Sequence, residues 1–186
     1  MSKISLLSTL IAFSLLFTAC SQEEKQQEDA NAMLSTNEFI LTSLNKTQLA
    51  VTRVPSGFKV KGSEGKVIIL DIFATWCPPC QAEASHLSSL QKKYKDSLVV
   101  IGITVEENIE NAKLEAFRTE HDAGYILVNS NENGRLIDAV AQKLNVGRNF
   151  GIPLMAMYKD GVLINHYQGA VEEEFIESDI KKALGL

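Results

Sequence analysis

Two cysteines separated by two prolines are the residues of this sequence with the clearest capacity for chemistry. They are Cys77 and Cys80, in the stretch LDIFATWCPPCQAE that runs from Leu70 to Glu83. A pair at this spacing can close a static disulfide, supply two ligands to a metal, or alternate between dithiol and disulfide by thiol–disulfide exchange. The elements that position the pair help to decide between these uses.

The pair lies where an apolar strand gives way to a helix. KVIILDIF (66–73) is a continuous apolar, β-branched run, which predicts a strand buried on both faces. Pro78 suits a first helical turn, because its missing N–H would be unpaired there and its φ is already helical. Cys77 is then expected at the helix N-cap, where unpaired N–H groups and the positive dipole end favour a thiolate. Cys80 lies one turn further on, so we predict that Cys77 attacks and Cys80 resolves.

The other uses of the pair are less favoured but stay open at this point. A static disulfide would add little stability through loop entropy, because the loop it closes is very short. A zinc site needs two further ligands, and His86, His121 and His166 are scattered through helix and strand patterns. Copper-delivery families with a histidine space their two cysteines one residue further apart. We therefore expect no metal and no cofactor beyond a redox-active disulfide.

The remaining elements alternate along the chain. A helix follows the prolines, because Ala84, Leu87, Leu90 and Tyr94 fall at helical spacing. The other predictions are a strand at 97–105, a helix at 109–121, a strand at 125–128, a helix at 135–145 that ends at Gly147, a hairpin at 154–169 with its turn at 159–161, a helix at 172–184, and irregular or strand-like segments at 38–44 and 48–54. This order predicts an α/β fold in which helices flank a central mixed β-sheet.

This layout and the WCPPC motif together resemble the thioredoxin fold, and most closely its membrane-anchored envelope branch, the TlpA/ResA-like proteins. The resemblance extends over residues 37–186 and is strongest in VIILDIFATWCPPCQAE. It implies a thioredoxin-like domain at 33–186 with thiol:disulfide oxidoreductase activity at Cys77 and Cys80. It also implies protein disulfides as substrates.

The resemblance assigns roles to two acids near the pair. Asp71 matches a buried aspartate of thioredoxins that assists proton transfer to the resolving thiol. Burial would raise the pKa of Asp71 and suit it to act as a base near neutral pH. Glu83 matches an acid that tunes the thiols of ResA-like proteins. The alternatives are a solvent-facing Asp71 at a strand end and a solvated Glu83 on a helix surface.

A second segment, NFGIPLMAM, is expected beside the cysteines. Thioredoxin-like proteins place a cis-proline there, and Pro153 stands at the matching point. The backbone of Ile152 would then pair with an extended substrate segment by strand addition, whereas an ordinary trans proline at a strand start is the alternative. Trp76 would shield the rim of the disulfide, with simple packing beside the site as its alternative. Leu154 follows the proline where the family often has threonine, so the substrate preference stays open. The expected substrate-binding residues are Trp76, Pro78, Pro79, Ile152 and Pro153.

The start of the chain predicts export and anchoring. One cation precedes a mostly apolar run from Ile4 to Phe17, which is too short for the ~20 residues of a membrane span and is typical of a signal peptide. The run ends in LLFTAC, which resembles the lipobox of bacterial lipoproteins. That resemblance implies a signal peptide at 1–19, a lipid on Cys20 and a polar tether at 20–32. An ordinary cleaved signal ending at Ala19 is the alternative.

The expected function is that of an envelope reductase. The net charge of −5 comes without a basic patch, which argues against a nucleic-acid partner. Neither proline between the cysteines can donate an N–H to a Cys77 thiolate, which favours a reductant. We expect a monomer on the periplasmic or outer side of the membrane, recharged by a membrane electron donor of the DsbD/CcdA type, with cytochrome c maturation as one setting. A DsbA-like oxidase and a non-catalytic thioredoxin-like binding module are the alternatives.

Overall fold

The structure is a computed structural model that describes residues 37–147 and 149–186. The predicted signal peptide, Cys20 and the polar tether lie outside these ranges. Within them, no helix is both long enough and apolar enough to cross a membrane.

A three-stranded antiparallel sheet opens the described chain. Its strands are β1 (Glu38–Thr42), β2 (Gln48–Val54) and β3 (Gly57–Val60), in that order across the sheet. The sequence indicated the first two as irregular or strand-like and missed β3, which is only four residues long. A Cβ atom at Gly57 would lie 2.7 Å from the ring of Tyr158. A glycine there therefore lets β3 start close against the next sheet.

The second sheet of the described residues has five strands and carries the cysteine pair. They are β4 (Val67–Phe73), β5 (Leu98–Thr104), β6 (Ile126–Val128), β7 (Leu154–Lys159) and β8 (Val162–Gln168), in the order β6-β5-β4-β7-β8. The first three are parallel, and β7 is antiparallel to both of its neighbours. Asp160 and Gly161 form the predicted hairpin turn, with φ of 50° and 86°. Positive φ at both central residues is what a two-residue hairpin turn requires.

Helices connect and cover these strands close to the predicted positions. They are α1 (Pro78–Lys93), α2 (Asn111–Glu120), α3 (Asn133–Leu144) and α4 (Glu173–Leu184). One predicted end was wrong, because α3 stops at Leu144 and not at Gly147. Asn145 takes the left-handed conformation there with φ of 56° and caps the helix. Asparagine tolerates this conformation better than most residues other than glycine.

Alternation along β4 divides the core between two faces of the five-stranded sheet. All seven residues of β4 are buried. Val67, Ile69 and Phe73 pack with Cys77, Cys80 and apolar residues of α1, α2 and α4. The intervening residues pack with α3 and the three-stranded sheet. Asp71 shares the first face by the two-residue period of a strand. The predicted architecture, a mixed central sheet with flanking helices, is confirmed.

Candidate active site

Cys77 and Cys80 form a disulfide at the N-terminus of α1, with their Cα atoms 5.2 Å apart. As the sequence predicts, Cys77 is the N-cap residue, and its sulfur accepts a hydrogen bond from the Cys80 N–H at 3.3 Å. Pro78 and Pro79 occupy the first two helical positions and are exposed. Both cysteines are almost fully buried, at 3% and 4% exposure. The Cys80 N–H and the helix dipole are therefore the features of α1 that favour an anionic Cys77 sulfur.

The loop before β7 lies against the first cysteine. The Ile152–Pro153 peptide bond is cis, and the Ile152 carbonyl oxygen is 3.8 Å from the Cys77 sulfur. The Gly169 N–H donates to the Pro153 carbonyl at 2.8 Å and ties this loop to the end of β8. Trp76 is 65% exposed. The structure thus brings the predicted loop to Cys77, while substrate binding by these residues and shielding by Trp76 stay predictions.

Asp71 is buried in the middle of β4, at 3% exposure. This excludes the alternative of a solvent-facing aspartate. Burial raises the pKa of Asp71 to about 7, against the opposing effect of a hydrogen bond from the Tyr125 hydroxyl. That hydroxyl lies 3.4 Å from Oδ2, and Oδ1 has no hydrogen-bond partner among the described residues. A carboxyl group with this pKa can take up or release a proton near neutral pH.

Glu83 is also buried, at 2% exposure, on the inner face of α1. The alternative of a solvated helix residue is therefore wrong. Burial, and then the charge of Asp71, raises the pKa of Glu83 to about 8, although a hydrogen bond from the Val171 N–H opposes this. That bond to Oε1 is 3.1 Å long. Glu83 and Asp71 are thus two electrostatically coupled acids on the cysteine face of the sheet.

The catalytic roles of both acids stay predictions. In the part of the chain that the structure describes, no hydrogen bond joins either carboxyl group to a cysteine sulfur. The same residues contain no group of three or more histidine, cysteine or acidic side chains placed to hold a metal ion. The site therefore consists of a disulfide and two buried carboxyl groups, those of Asp71 and Glu83, on the same face of the sheet. This arrangement suits thiol–disulfide exchange coupled to proton transfer.

The sequence reasoning missed Tyr125 and Gly102, which complete the surroundings of Asp71. Gly102 lies opposite Asp71 in the β4–β5 pairing. A Cβ atom at Gly102 would lie 3.0 Å from the Tyr125 ring and 2.8 Å from Leu127. The missing side chain therefore leaves room for the ring whose hydroxyl reaches Asp71. One signal was available, since glycine inside a strand pattern indicates a close approach.

Comparisons with known proteins agree with this geometry. Residues 41–184 match the family model described as Redoxin. The thiol-disulfide oxidoreductase ResA of Bacillus cereus is 26% identical over 181 residues, which cover 95% of this chain and 90% of that protein. Its sequence likeness therefore spans nearly the full length of both chains.

Solved structures give the fold. A thiol:disulfide interchange protein of the thioredoxin family from Chlorobium tepidum TLS has a TM-score of 0.65 at 22% identity, covering 80% of this chain and 94% of that one. A secreted Mycobacterium tuberculosis disulfide oxidoreductase homologous to E. coli DsbE has a TM-score of 0.55 at 18% identity, covering 80% and 98%. The predicted thioredoxin-like fold is confirmed.

Proposed function

Because the chain belongs to the Redoxin family, we propose that it is a thiol:disulfide oxidoreductase of the ResA type. In this proposal it reduces protein disulfides in the bacterial envelope. The observation that supports this best is the Cys77–Cys80 disulfide at the start of α1. It joins a sulfur at a helix N-cap to a second sulfur one turn away. The Ile152 carbonyl oxygen lies 3.8 Å from the first of these sulfurs.

The reaction begins when the reduced protein meets a substrate disulfide. The Cys77 thiolate attacks one substrate sulfur, the substrate S–S bond breaks, and the departing sulfur leaves as a thiolate that takes up a proton. Cys80 then loses its proton, with Asp71 as the base, and its thiolate attacks the Cys77 sulfur. The mixed disulfide breaks, the second substrate sulfur leaves as a thiolate that takes up a proton, and the Cys77–Cys80 disulfide forms. Two electrons have passed from the protein to the substrate.

The surroundings of Cys77 favour reduction over oxidation. A couple becomes a stronger oxidant as its reduced form, with Cys77 as a thiolate, is stabilised. Pro78 and Pro79 have no N–H, so within this turn the Cys80 N–H is the donor that reaches the Cys77 sulfur. Asp71 and Glu83 place negative charge on the same face of the sheet when they ionise, which further disfavours a thiolate. These effects all oppose a strongly oxidising couple.

Location and partners complete the proposal. The lipobox-like LLFTAC supports a lipid on Cys20, which would hold the domain at the membrane. A reductant in an oxidising compartment must be recharged, so a membrane electron donor of the DsbD/CcdA type supplies the electrons. Apocytochrome c is one candidate substrate, because it must present reduced cysteines before haem attachment.

The direct test combines a trapping variant with a measured potential. Cys80→Ser should accumulate mixed disulfides with substrate proteins through Cys77, whereas Cys77→Ser should form none and should not reduce a model disulfide. Equilibration with thiol buffers of known poise should give a potential below about −200 mV. A value near the ~−120 mV of DsbA, or a pair that stays oxidised in cells whatever reductant is removed, would reassign the protein as an oxidase.

A further inference from the structure

The turn that leads into Cys77 is held by side chains from two other segments. The Cys77 N–H bonds to the Ala74 carbonyl at 3.2 Å, which closes a tight turn with Thr75 and Trp76 in its centre. The Thr75 N–H donates to Glu106 Oε2 at 2.7 Å, and its hydroxyl lies 3.0 Å from Glu106 Oε1. Gln81 Nε2 donates to the Thr75 carbonyl at 2.8 Å. All three polar groups of Thr75 are therefore bonded to side chains.

Glu106 is itself fixed to the end of a buried strand. Thr104, at 1% exposure, ends β5. Its hydroxyl lies 3.2 Å from Glu106 Oε2 and accepts from the Glu106 N–H at 3.1 Å. Thr104 also pairs with Phe73, the last residue of β4. The carboxylate thus bridges the ends of the two parallel strands, at the edge from which the Cys77 turn emerges.

Packing holds the two ends of this turn, where Ala74 and Cys77 are buried at 0% and 3% exposure, but it does little for the centre. Trp76 is 65% exposed, so its large ring buries little surface that could anchor the backbone. Between these buried ends, the bonds from Glu106 and Gln81 to Thr75 are therefore the side-chain contacts that fix the centre of the turn.

We propose that Glu106 is a positioning residue for the redox reaction. It fixes the turn that leads into Cys77 through its hydrogen bonds to Thr75. This deepens the proposed function and rests on it for its biological meaning. The bonds of Glu106 and Gln81 to Thr75 form a clamp. This clamp keeps the Cys77 sulfur next to the Ile152 carbonyl and the Cys80 N–H, the position from which it attacks a substrate disulfide. It acts through hydrogen-bond geometry and not through its charge.

Two neutral substitutions separate geometry from charge. Glu106→Gln keeps an oxygen that can accept from the Thr75 N–H, and the Thr75 hydroxyl can rotate to accept from the new amide. Glu106→Ala removes the same charge together with both bonds from Thr75 to the Glu106 carboxylate. Glu107→Ala is the matched control, because Glu107 is exposed and none of the hydrogen bonds or ion pairs between described residues involves it.

The measurement is the rate at which Cys77 in the fully reduced protein reacts with limiting iodoacetamide and with a small aromatic disulfide, followed by peptide mapping. Glu106→Ala should react roughly tenfold more slowly or worse, since small misplacements of reacting groups cost up to ~100-fold. Glu106→Gln and Glu107→Ala should stay within about twofold of the wild type. Equal rates for the Ala and Gln variants of Glu106, whether fast or slow, would overturn the proposal.

The other arm of the clamp covers the case in which Glu106→Ala does not fold. Gln81→Met keeps the side-chain length but cannot donate to the Thr75 carbonyl. This variant should lower the reaction rate of Cys77 by roughly threefold or more, because loss of one modest hydrogen bond has an effect of this size. A wild-type rate would contradict the proposed role of the clamp. Alkylation does not depend on the direction of electron flow, so these rates stand or fall separately from the reductase assignment.

Discussion

Asp71 and Glu83 bring two carboxyl groups into the interior without a cationic partner among the described residues. Burial raises the pKa of each and a single hydrogen bond opposes it, and the charge of Asp71 further raises the pKa of Glu83. Burying an ionised carboxylate in this way is costly, so such a group is kept neutral until the pH is well above its ordinary pKa. The two residues are therefore expected to make stability depend on pH.

The pH dependence of stability tests the buried state of Asp71. Its pKa rises from 3.8 in the open chain to about 7 in the folded protein. As pH rises from 4 to 7, the unfolded chain loses this proton while the folded protein keeps it, so unfolding becomes easier. Asp71→Asn cannot ionise, so its advantage over wild type in unfolding free energy should grow across this window. It should reach roughly 4 kcal/mol, at about 1.36 kcal/mol per pKa unit, and then level off.

Urea unfolding of the oxidised protein at several pH values measures this difference. Glu107→Gln is a suitable control, because Glu107 is exposed and its substitution should give a nearly flat difference. An advantage for Asp71→Asn that is equally large at pH 4 and pH 7 would show that ionisation of Asp71 is not its cause.

At the scale of elements, the β4–β5 pair determines where the chemistry takes place. Both strands are parallel and end at the same edge of the sheet, from which the Cys77 turn and Glu106 follow. Midway along the pair, Gly102 faces Asp71 and leaves room for the Tyr125 ring. A change at Gly102 should therefore affect the packing around Asp71.

Gly102→Ala should lower the free energy of unfolding by roughly 1–3 kcal/mol, the usual cost of overpacking a core. The added methyl would lie 2.8 Å from Leu127, 3.0 Å from Tyr125 and 3.2 Å from Phe73. Gly134→Ala is the matched control, because Gly134 lies in α3 with nothing within 4 Å of a Cβ atom. That control should stabilise the protein by less than the roughly 0.5–1 kcal/mol of a mid-helix glycine, because Gly134 is only the second residue of α3. Chemical denaturation measures both, and a neutral Gly102→Ala would mean that the surrounding rings can move aside.

At the scale of the whole molecule, the proposed function requires the domain to stay at a membrane. Residues 20–32 contain no large apolar side chain, so they are expected to link the anchor to the domain without adding to its core. A domain held in this way would meet its membrane electron donor repeatedly. Anchoring is therefore as much a part of the proposal as the cysteines.

Cys20→Ala should release the protein from the membrane fraction. A single acyl chain binds a membrane only marginally, whereas several chains on one cysteine anchor it firmly. Fractionation and incorporation of a labelled fatty acid measure this, with Cys77→Ala as a control that keeps the lipidated cysteine. If the wild-type protein incorporates no fatty acid, the lipoprotein assignment fails and an ordinary cleaved signal takes its place.

The sequence by itself determined the features that depend on neighbours along the chain. The apolar run of β4, the N-cap position of Cys77, the prolines that start α1 and the Asp160–Gly161 turn all follow from local rules, and the structure has them. These rules act over a few residues, so the printed sequence contains the information they need. The resemblance to the thioredoxin fold added one expectation about residues distant in sequence, namely that the loop at Pro153 lies beside the cysteines.

Only the tertiary structure decided which distant residues surround the pair. Tyr125 meets Asp71 across 54 positions of sequence, and Glu106 holds Thr75 across 31. The buried Glu83 accepts a hydrogen bond from the Val171 N–H, 88 positions away. The short strand β3 starts at a glycine that a tyrosine ring of the other sheet approaches closely. Contacts of this kind depend on how whole elements pack, and no local preference of the residues involved specifies them.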